Sequence, residues 1–135
     1  MTIYVDTNVF VYWLTSHPVH GKVAEKLIQN IEAGDAAITS ALTLVQVDWA
    51  MRALLQAGMI SKYDPRKMVE SVTGIQNLRI IELKEETCRR ALGHAKKYEL
   101  DLEDSIHLET ALEHKCSEML SADVDFDKGP LPRRF

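Results

Sequence analysis

Four aspartates stand where a folded chain could gather them around one metal ion. Asp6 directly follows a short stretch of β-favouring residues (residues 3–5), and Asp123 follows a second such stretch near the carboxyl end. Asp125 lies two residues further on, and Asp104 falls in the first turn of a predicted helix. Ligands of α/β sheets bind beyond the carboxyl ends of the parallel strands, so we expect these carboxylates to meet at one edge.

A group of carboxylates without paired Cys or His ligands favours Mg²⁺ or Mn²⁺ over zinc. Asp104 alone has a simpler explanation, because Asp is favoured at helix N-termini through capping and the helix dipole. Its convergence with Asp6 and Asp123 favours metal binding, because clustered carboxylates repel one another unless a cation neutralises them. Two ions ~3.5–4 Å apart could activate a water and stabilise the leaving oxygen of a phosphodiester. The predicted chemistry is metal-dependent hydrolysis of a phosphoryl bond.

Strands and helices alternate along the chain in the order needed to bring these acids together. The residue pattern predicts strands at residues 3–5, 36–39, 79–83 and 118–121. Helices are predicted at residues 8–14, 20–32, 41–56, 65–74 and 85–98, and a further helix runs through residue 114. The alternation predicts a three-layer α/β/α sandwich with a mostly parallel central sheet. Residues 129–135 are rich in Pro and Arg and are predicted to be a tail.

Length and composition place the chain among ordinary globular proteins. Its 135 residues, 46% of them hydrophobic, predict a single domain over residues 1–135. The net charge of -4 gives no overall electrostatic attraction to nucleic acid, so any such binding must be local. Cys88 and Cys116 lie inside helical patterns and are expected to be reduced structural thiols. No segment has the character of a secretion signal or a membrane span, which predicts a cytoplasmic protein without membrane contact.

The order of these motifs resembles the PIN domain family and, within it, the small VapC-type toxins. Four stretches in register carry the resemblance: Val5-Asp6-Thr7-Asn8, Ser40-Ala-Leu-Thr-Leu-Val-Gln-Val-Asp-Trp49, Asp101-Leu-Glu-Asp-Ser-Ile-His-Leu-Glu-Thr-Ala111 and Leu120-Ser-Ala-Asp-Val-Asp-Phe126. The resemblance covers nearly the whole chain. It implies an α/β/α fold and an Mg²⁺- or Mn²⁺-dependent endoribonuclease, the toxin of a toxin–antitoxin pair, with RNA as substrate and a cognate antitoxin as partner.

The resemblance also implies roles for individual residues. Asp6, Asp104 and Asp123 match the family acids that hold the metal, and Asp125 matches a frequent accessory acid. The remaining matching positions are polar side chains that support the first Asp or its neighbourhood: Thr7, Asn8 and Ser121.

Gln46 departs from the family pattern, which has a Glu at this position of the helix after the second strand. Gln offers a carbonyl oxygen but no charge, so metal affinity should fall and this side chain cannot abstract a proton. Asp48 cannot replace it, because residues two apart on a helix face different directions. The departure leaves two hypotheses, a ribonuclease with weakened activity and a catalytically silent PIN module that binds protein or RNA.

The remaining polar and apolar residues have simpler interpretations. The five histidines have no spacing that builds a site with the acids, so surface or local hydrogen-bonding roles are expected. Pairs of basic residues on the predicted helices favour solvated faces, with an RNA track as the alternative. The apolar surface around residues 49–68 exceeds what one small core requires, which predicts a homodimer. A phosphatase of the haloacid-dehalogenase type is disfavoured because Asn8 stands where its second Asp would be.

Overall fold

Short runs of β-branched, aromatic and aliphatic residues form a central five-stranded sheet. The computed structural model describes all 135 residues. Its strands are β1 (Thr2–Val5), β2 (Ala36–Ser40), β3 (Leu78–Ile81), β4 (Glu118–Leu120) and β5 (Arg133–Arg134), in the order β3-β2-β1-β4-β5. Every neighbouring pair is parallel. The predicted α/β sandwich is confirmed, and the sheet is parallel throughout.

Six helices flank this sheet, and most begin at a polar residue that caps the first turn. They are α1 (Thr7–Leu14), α2 (Gly21–Glu32), α3 (Ala41–Gln56), α4 (Pro65–Thr73), α5 (Glu85–Tyr98) and α6 (Leu102–Glu113), and a 3-10 turn spans Val124–Lys128. The caps with a side-chain hydrogen bond to a backbone N–H of the first turn are Asp6, Ser40, Asp64 and Asp101. Such bonds satisfy donors that the helix itself leaves free. The helices predicted at residues 41–56 and 65–74 begin at the expected residues. None of the helices is both long enough and apolar enough to span a bilayer.

The two faces of β1 show how the layers form. Ile3 and Val5 point into a core of 15 buried residues drawn mainly from α1 to α4, while Tyr4 points to the other face with residues of α6 and β4. Alternate residues of a strand face opposite sides, so one strand contributes to both cores. Helices α5 and α6 pack against each other on the side of Tyr4.

Strand β5 was not expected, since residues 129–135 were predicted to be a tail. Met119 N–H donates to the carbonyl oxygen of Pro132 at 2.9 Å, and Ser121 N–H donates to that of Arg134 at 3.1 Å. A two-residue strand has too few residues for a sequence pattern, and it forms because β4 offers unpaired backbone groups. As an edge strand it tolerates neighbouring prolines.

Strand β1 lies at the point where the strand order reverses. The chain passes from β1 to β2 and β3 on one side, and β4 and β5 lie on the other. Val5 is in register with Leu120, so Asp6 and Ser121 leave adjacent strands side by side. In open α/β sheets the crevice at such a point is the usual binding site.

Candidate active site at the carboxyl ends of the strands

The carboxylate of Asp6 is buried and firmly held. Asp6 is 5% exposed. It caps α1, and its Oδ1 accepts from the Thr7 N–H at 2.7 Å. Oδ2 accepts from the Ser121 hydroxyl at 2.6 Å and from Asn8 Nδ2 at 3.1 Å. Three donors stabilise the charged form of a buried carboxylate. Asp6 therefore keeps one orientation at the end of β1.

Asn8 and Ser121 also join the ends of β1 and β4. Asn8 Oδ1 accepts from the backbone N–H of Ala122 at 3.1 Å, and its Nδ2 also reaches the Ser121 hydroxyl at 3.3 Å. The same hydroxyl accepts from the backbone N–H of Asp123 at 3.0 Å. These bonds fix the position of Asp123 relative to Asp6.

Carboxylate oxygens of Asp104, Asp123 and Asp125 all lie within 4.8 Å of one another. Asp101 caps α6 by accepting from the Asp104 N–H at 2.8 Å, so the side chain of Asp104 is not needed as the cap. Asp123 caps the following 3-10 turn by accepting from Asp125 N–H at 2.9 Å, which brings these two acids together. Asp6 is not part of this close group.

A groove of about 410 Å³ connects Asp6 to Asp104 and Asp123. Its lining includes Gln46 and Glu103, together with further residues of α1 and α3: Thr7, Asn8, Val11, Tyr12, Trp49 and Ala50. Asp6, Asp104 and Asp123 therefore line one groove. Asp125 lies beside it, with a carboxylate oxygen within 4.8 Å of those of Asp104 and Asp123. Asp48 lies elsewhere and bonds Arg52 and Tyr63.

No Lys or Arg lines the groove. The arginines of the basic pairs bond glutamates one turn away on exposed helix faces: Arg66 with Glu70, Arg89 with Glu85 and Arg90 with Glu86. The solvated-face interpretation holds for these arginines. An anionic ligand in the groove would need another source of positive charge.

Burial raises the pKa of Asp104 to about 7, and the charges of Asp101, Asp123, Asp6 and Asp125 add to the effect. A second negative charge near a partly buried carboxylate disfavours ionisation. A bound cation would have the opposite effect, because it favours the charged form. The group therefore has the electrostatic character of a site that is completed by a cation.

His107 is buried behind the groove and makes local hydrogen bonds, the role expected of the histidines. It is 1% exposed, its Nε2 lies 2.6 Å from Gln46 Oε1 and 3.7 Å from Asp6 Oδ1, and its Nδ1 lies 2.5 Å from the Tyr4 hydroxyl. Burial lowers its pKa despite the nearby acids, so the imidazole is neutral near pH 7. The spacing between Asp104 and His107, three residues on one helix, was the signal that could have found it.

The donor set fits a hard divalent cation. Three carboxylates within 4.8 Å supply oxygen ligands only, and neither cysteine lies among them. Oxygen-only sets suit Mg²⁺ and Mn²⁺ and disfavour zinc.

The sequence profile of the PIN domain matches residues 3–130. The chain belongs to the PIN domain family. PIN domain nucleases generally use a divalent metal, and this PIN domain has a carboxylate cluster at the edge of the sheet where such an ion would bind. The family predicted from the four motifs is therefore confirmed.

Solved structures with a similar fold include toxins of the VapBC type. VapC20 of Mycobacterium tuberculosis, described as a toxin that cleaves the sarcin–ricin loop, is 14% identical with a TM-score of 0.72, covering 93% of this chain and 92% of its own. VapBC2 of Rickettsia felis, bound to a DNA fragment from its promoter, is 16% identical with a TM-score of 0.64, covering 99% and 98%. A toxin–antitoxin complex from Klebsiella pneumoniae is 22% identical with a TM-score of 0.61, covering 92% and 89%. No curated protein sequence matches the chain significantly.

Proposed function

We propose that this PIN domain is a metal-dependent endoribonuclease that hydrolyses RNA phosphodiester bonds, and that it is the toxin of a type II toxin–antitoxin pair. The observation that carries the proposal is the meeting of Asp104, Asp123 and Asp125 within 4.8 Å, beside Asp6 in one open groove. Acids more than 90 positions apart in sequence come together here at the cost of mutual repulsion. A divalent cation and a phosphodiester substrate explain that arrangement.

In this proposal Asp104 and Asp123 hold Mg²⁺ or Mn²⁺, with Asp6 and Asp125 completing the acidic set. The bound ion supplies positive charge for the phosphate and lowers the pKa of a coordinated water. Hydrogen bonds from Thr7, Asn8 and Ser121 keep Asp6 and Asp123 in fixed positions. Carboxylates in fixed positions would hold the ion where the negative charge of the transition state develops.

The proposed partners follow from the family and from the groove. VapBC-type structures of similar fold support a cognate antitoxin, which would insert a segment beside the acids. A basic side chain from that segment could replace the charge of the cation. Free cysteines at positions 88 and 116 agree with action in a reducing cytoplasm, where the RNA substrate is also found.

Gln46 favours a second candidate, a PIN module without catalytic activity that binds protein or RNA. The amide removes one negative charge from the groove relative to a Glu at the same place. Weaker metal binding would reduce cleavage without changing the fold.

A cleavage assay tests the proposal and separates the two candidates. The chain and its Asp6→Asn, Gln46→Glu and Asp48→Asn variants are incubated with structured and single-stranded RNA, with Mg²⁺ or Mn²⁺ and with chelator. We expect metal-dependent cleavage that Asp6→Asn abolishes and Asp48→Asn retains, because Asp48 lies outside the groove. If the unmodified chain cleaves no RNA but Gln46→Glu does, the chain is a weakened nuclease. If neither protein cleaves RNA, the proposal is overturned in favour of a binding module.

A further inference from the structure

The hydroxyl of Tyr4 has a defined direction. Tyr4 is fully buried, and its oxygen accepts from the backbone N–H of Ser40 at 3.1 Å. Its own hydrogen needs an acceptor, because a buried donor without a partner destabilises the folded protein. His107 Nδ1 lies 2.5 Å away. Tyr4 therefore donates to His107 Nδ1, which must carry no proton.

The proton of the neutral His107 ring then sits on Nε2 and points at Gln46. Nε2 donates to Gln46 Oε1 at 2.6 Å, and the Thr7 hydroxyl donates to the same oxygen at 2.7 Å. A carbonyl oxygen has two lone pairs, so both are occupied inside the protein. The reversed amide would require His107 Nδ1–H to donate to Tyr4, and the Tyr4 hydrogen would have to turn to the Thr39 and Thr43 hydroxyls, which already bond each other.

The amide nitrogen of Gln46 faces the groove as a free donor. No buried side-chain nitrogen or oxygen lacks a partner, and this nitrogen bonds no protein group, so it is accessible to solvent. Gln46 lines the groove beside Asp6 and Asp104. Asn8 has the other side-chain amide in the lining, and its nitrogen already donates to Asp6 and Ser121.

We propose that Tyr4 and His107 are positioning residues that hold the Gln46 amide with its oxygen inward, so that Gln46 donates to a phosphate oxygen of RNA and does not ligate the cation. This inference rests on the proposed function. A Glu at the same place would keep one oxygen on His107 and turn the other towards the metal. Gln46 therefore replaces a metal ligand with a donor for the anionic substrate, in a groove that has no Lys or Arg.

The first experiment measures Mn²⁺ affinity of the full chain by the electron paramagnetic resonance signal of free Mn²⁺, without RNA. We expect the Mn²⁺ affinity of Gln46→Ala to stay within about twofold of that of the unmodified chain. Asp104→Asn should weaken Mn²⁺ binding about tenfold, and Gln46→Glu should strengthen it about tenfold. The affinity of Gln46→Ala for a cleavage-resistant 2′-O-methyl RNA should fall about tenfold, as expected for a lost bond to a charged group. Loss of Mn²⁺ affinity in Gln46→Ala comparable with that of Asp104→Asn overturns the inference, as does unchanged Mn²⁺ affinity in Gln46→Glu.

The second experiment reads the His107 tautomer from nitrogen-15 chemical shifts, which a purely structural role would not fix. We expect a protonated Nε2 and an unprotonated Nδ1. Tyr4→Phe should weaken RNA binding but not Mn²⁺ binding, and Tyr63→Phe, whose hydroxyl bonds Asp48 outside the groove, should change neither. A proton on Nδ1 in the unmodified chain overturns the inference, even if Tyr4→Phe does not fold. A chain that binds neither Mn²⁺ nor RNA overturns the proposed function, whereas normal binding with the wrong tautomer overturns this inference alone.

Discussion

At the scale of single residues, the acids of the groove differ in how the protein stabilises them. Asp6 accepts three hydrogen bonds, whereas Asp104 faces other acids and has a pKa raised to about 7, first by burial and then by their charges. Hydrogen bonds hold the first carboxylate in one orientation. A bound cation would favour the charged form of the second.

The raised pKa of Asp104 predicts how stability depends on pH without metal. Its carboxyl takes a proton more readily when folded than at its ordinary pKa of 3.8, so its contribution to stability is complete below about pH 4 and is lost as pH rises through about 7. Urea denaturation with chelator should give a fall in unfolding free energy between about pH 5 and 7. The fall should be smaller in Asp104→Asn and in the presence of Mn²⁺.

Asp127→Asn serves as the matched control for that experiment. Its bond to Arg133 lowers the pKa of Asp127, so its contribution is already complete above pH 5 and the variant should leave the slope unchanged. An Asp104→Asn protein with the same pH slope as the starting chain would contradict the prediction.

Ser121 should be the most sensitive of the supporting side chains. Its hydroxyl is fully buried, donates to Asp6 and accepts from the Asp123 N–H, so Ser121→Ala leaves a buried donor and a buried carboxylate oxygen with fewer partners. We expect a loss of about 1–3 kcal/mol in urea denaturation. Ser117→Ala is the control, because that hydroxyl makes one long contact of 3.4 Å with Thr2 and should cost far less.

At the scale of elements, helix starts and strand ends place the chemistry. Asp6 ends β1 and caps α1, Asp101 caps α6 just before Asp104, and Asp123 caps the 3-10 turn after β4. An Asp ahead of a helical pattern was visible in the sequence at Asp6 and Asp101, whereas the 3-10 turn after Asp123 was not predicted. Their meeting depends on the parallel order of β1 and β4, which brings the first and last of them side by side.

Removal of the α6 cap tests whether this device also positions the metal ligand. Asp101→Ala should destabilise the protein by about 0.5–2 kcal/mol, because the Asp104 N–H loses its acceptor. It should also weaken Mn²⁺ binding, since Asp104 sits on the turn that frays. Asp64→Ala at the start of α4 should cost similar stability with unchanged Mn²⁺ affinity. Equal Mn²⁺ affinity in both variants would refute the link.

Histidines and the carboxyl-terminal strand show where the sequence pattern was insufficient. His107 shares a helix face with Asp104, but its partners Tyr4 and Gln46 lie 103 and 61 positions away. Residues 133 and 134 form a strand only because β4 has a free edge. Both features depend on contacts that no local pattern encodes.

At the scale of the whole molecule, exposed apolar side chains on and after α3 form the surface for which a homodimer was predicted. Trp49 is 54% exposed and Met59 73% exposed, with Val45 and Leu55 on the same helix also exposed. Met68 and Met51 are buried and belong to the core instead. The predicted surface is therefore smaller than the region of residues 49–68 suggested.

Charge reversal on this surface tests the homodimer proposal. Met59→Glu should weaken self-association by at least about tenfold in sedimentation velocity, because a buried unpaired carboxylate is costly at an apolar interface. Stability of the monomer should change little, since Met59 is exposed. Leu92→Glu on α5, 59% exposed in the other helical layer, is the control. A chain that is already monomeric, or a Met59→Glu chain that associates normally, would contradict the proposal.

The sequence by itself determined the alternation of strands and helices, the family, and the acids that stand at the carboxyl ends of strands. These follow from local periodicity and from side-chain preferences that act over a few residues. The tertiary structure alone decided that Asp104, Asp123 and Asp125 share one small volume while Asp6 is held separately by hydrogen bonds. It also decided that the Thr7 hydroxyl and His107 Nε2 both lie within hydrogen-bond distance of the Gln46 oxygen. The physical reason is that distances and hydrogen-bond directions between remote residues arise from packing, which no short stretch of sequence contains.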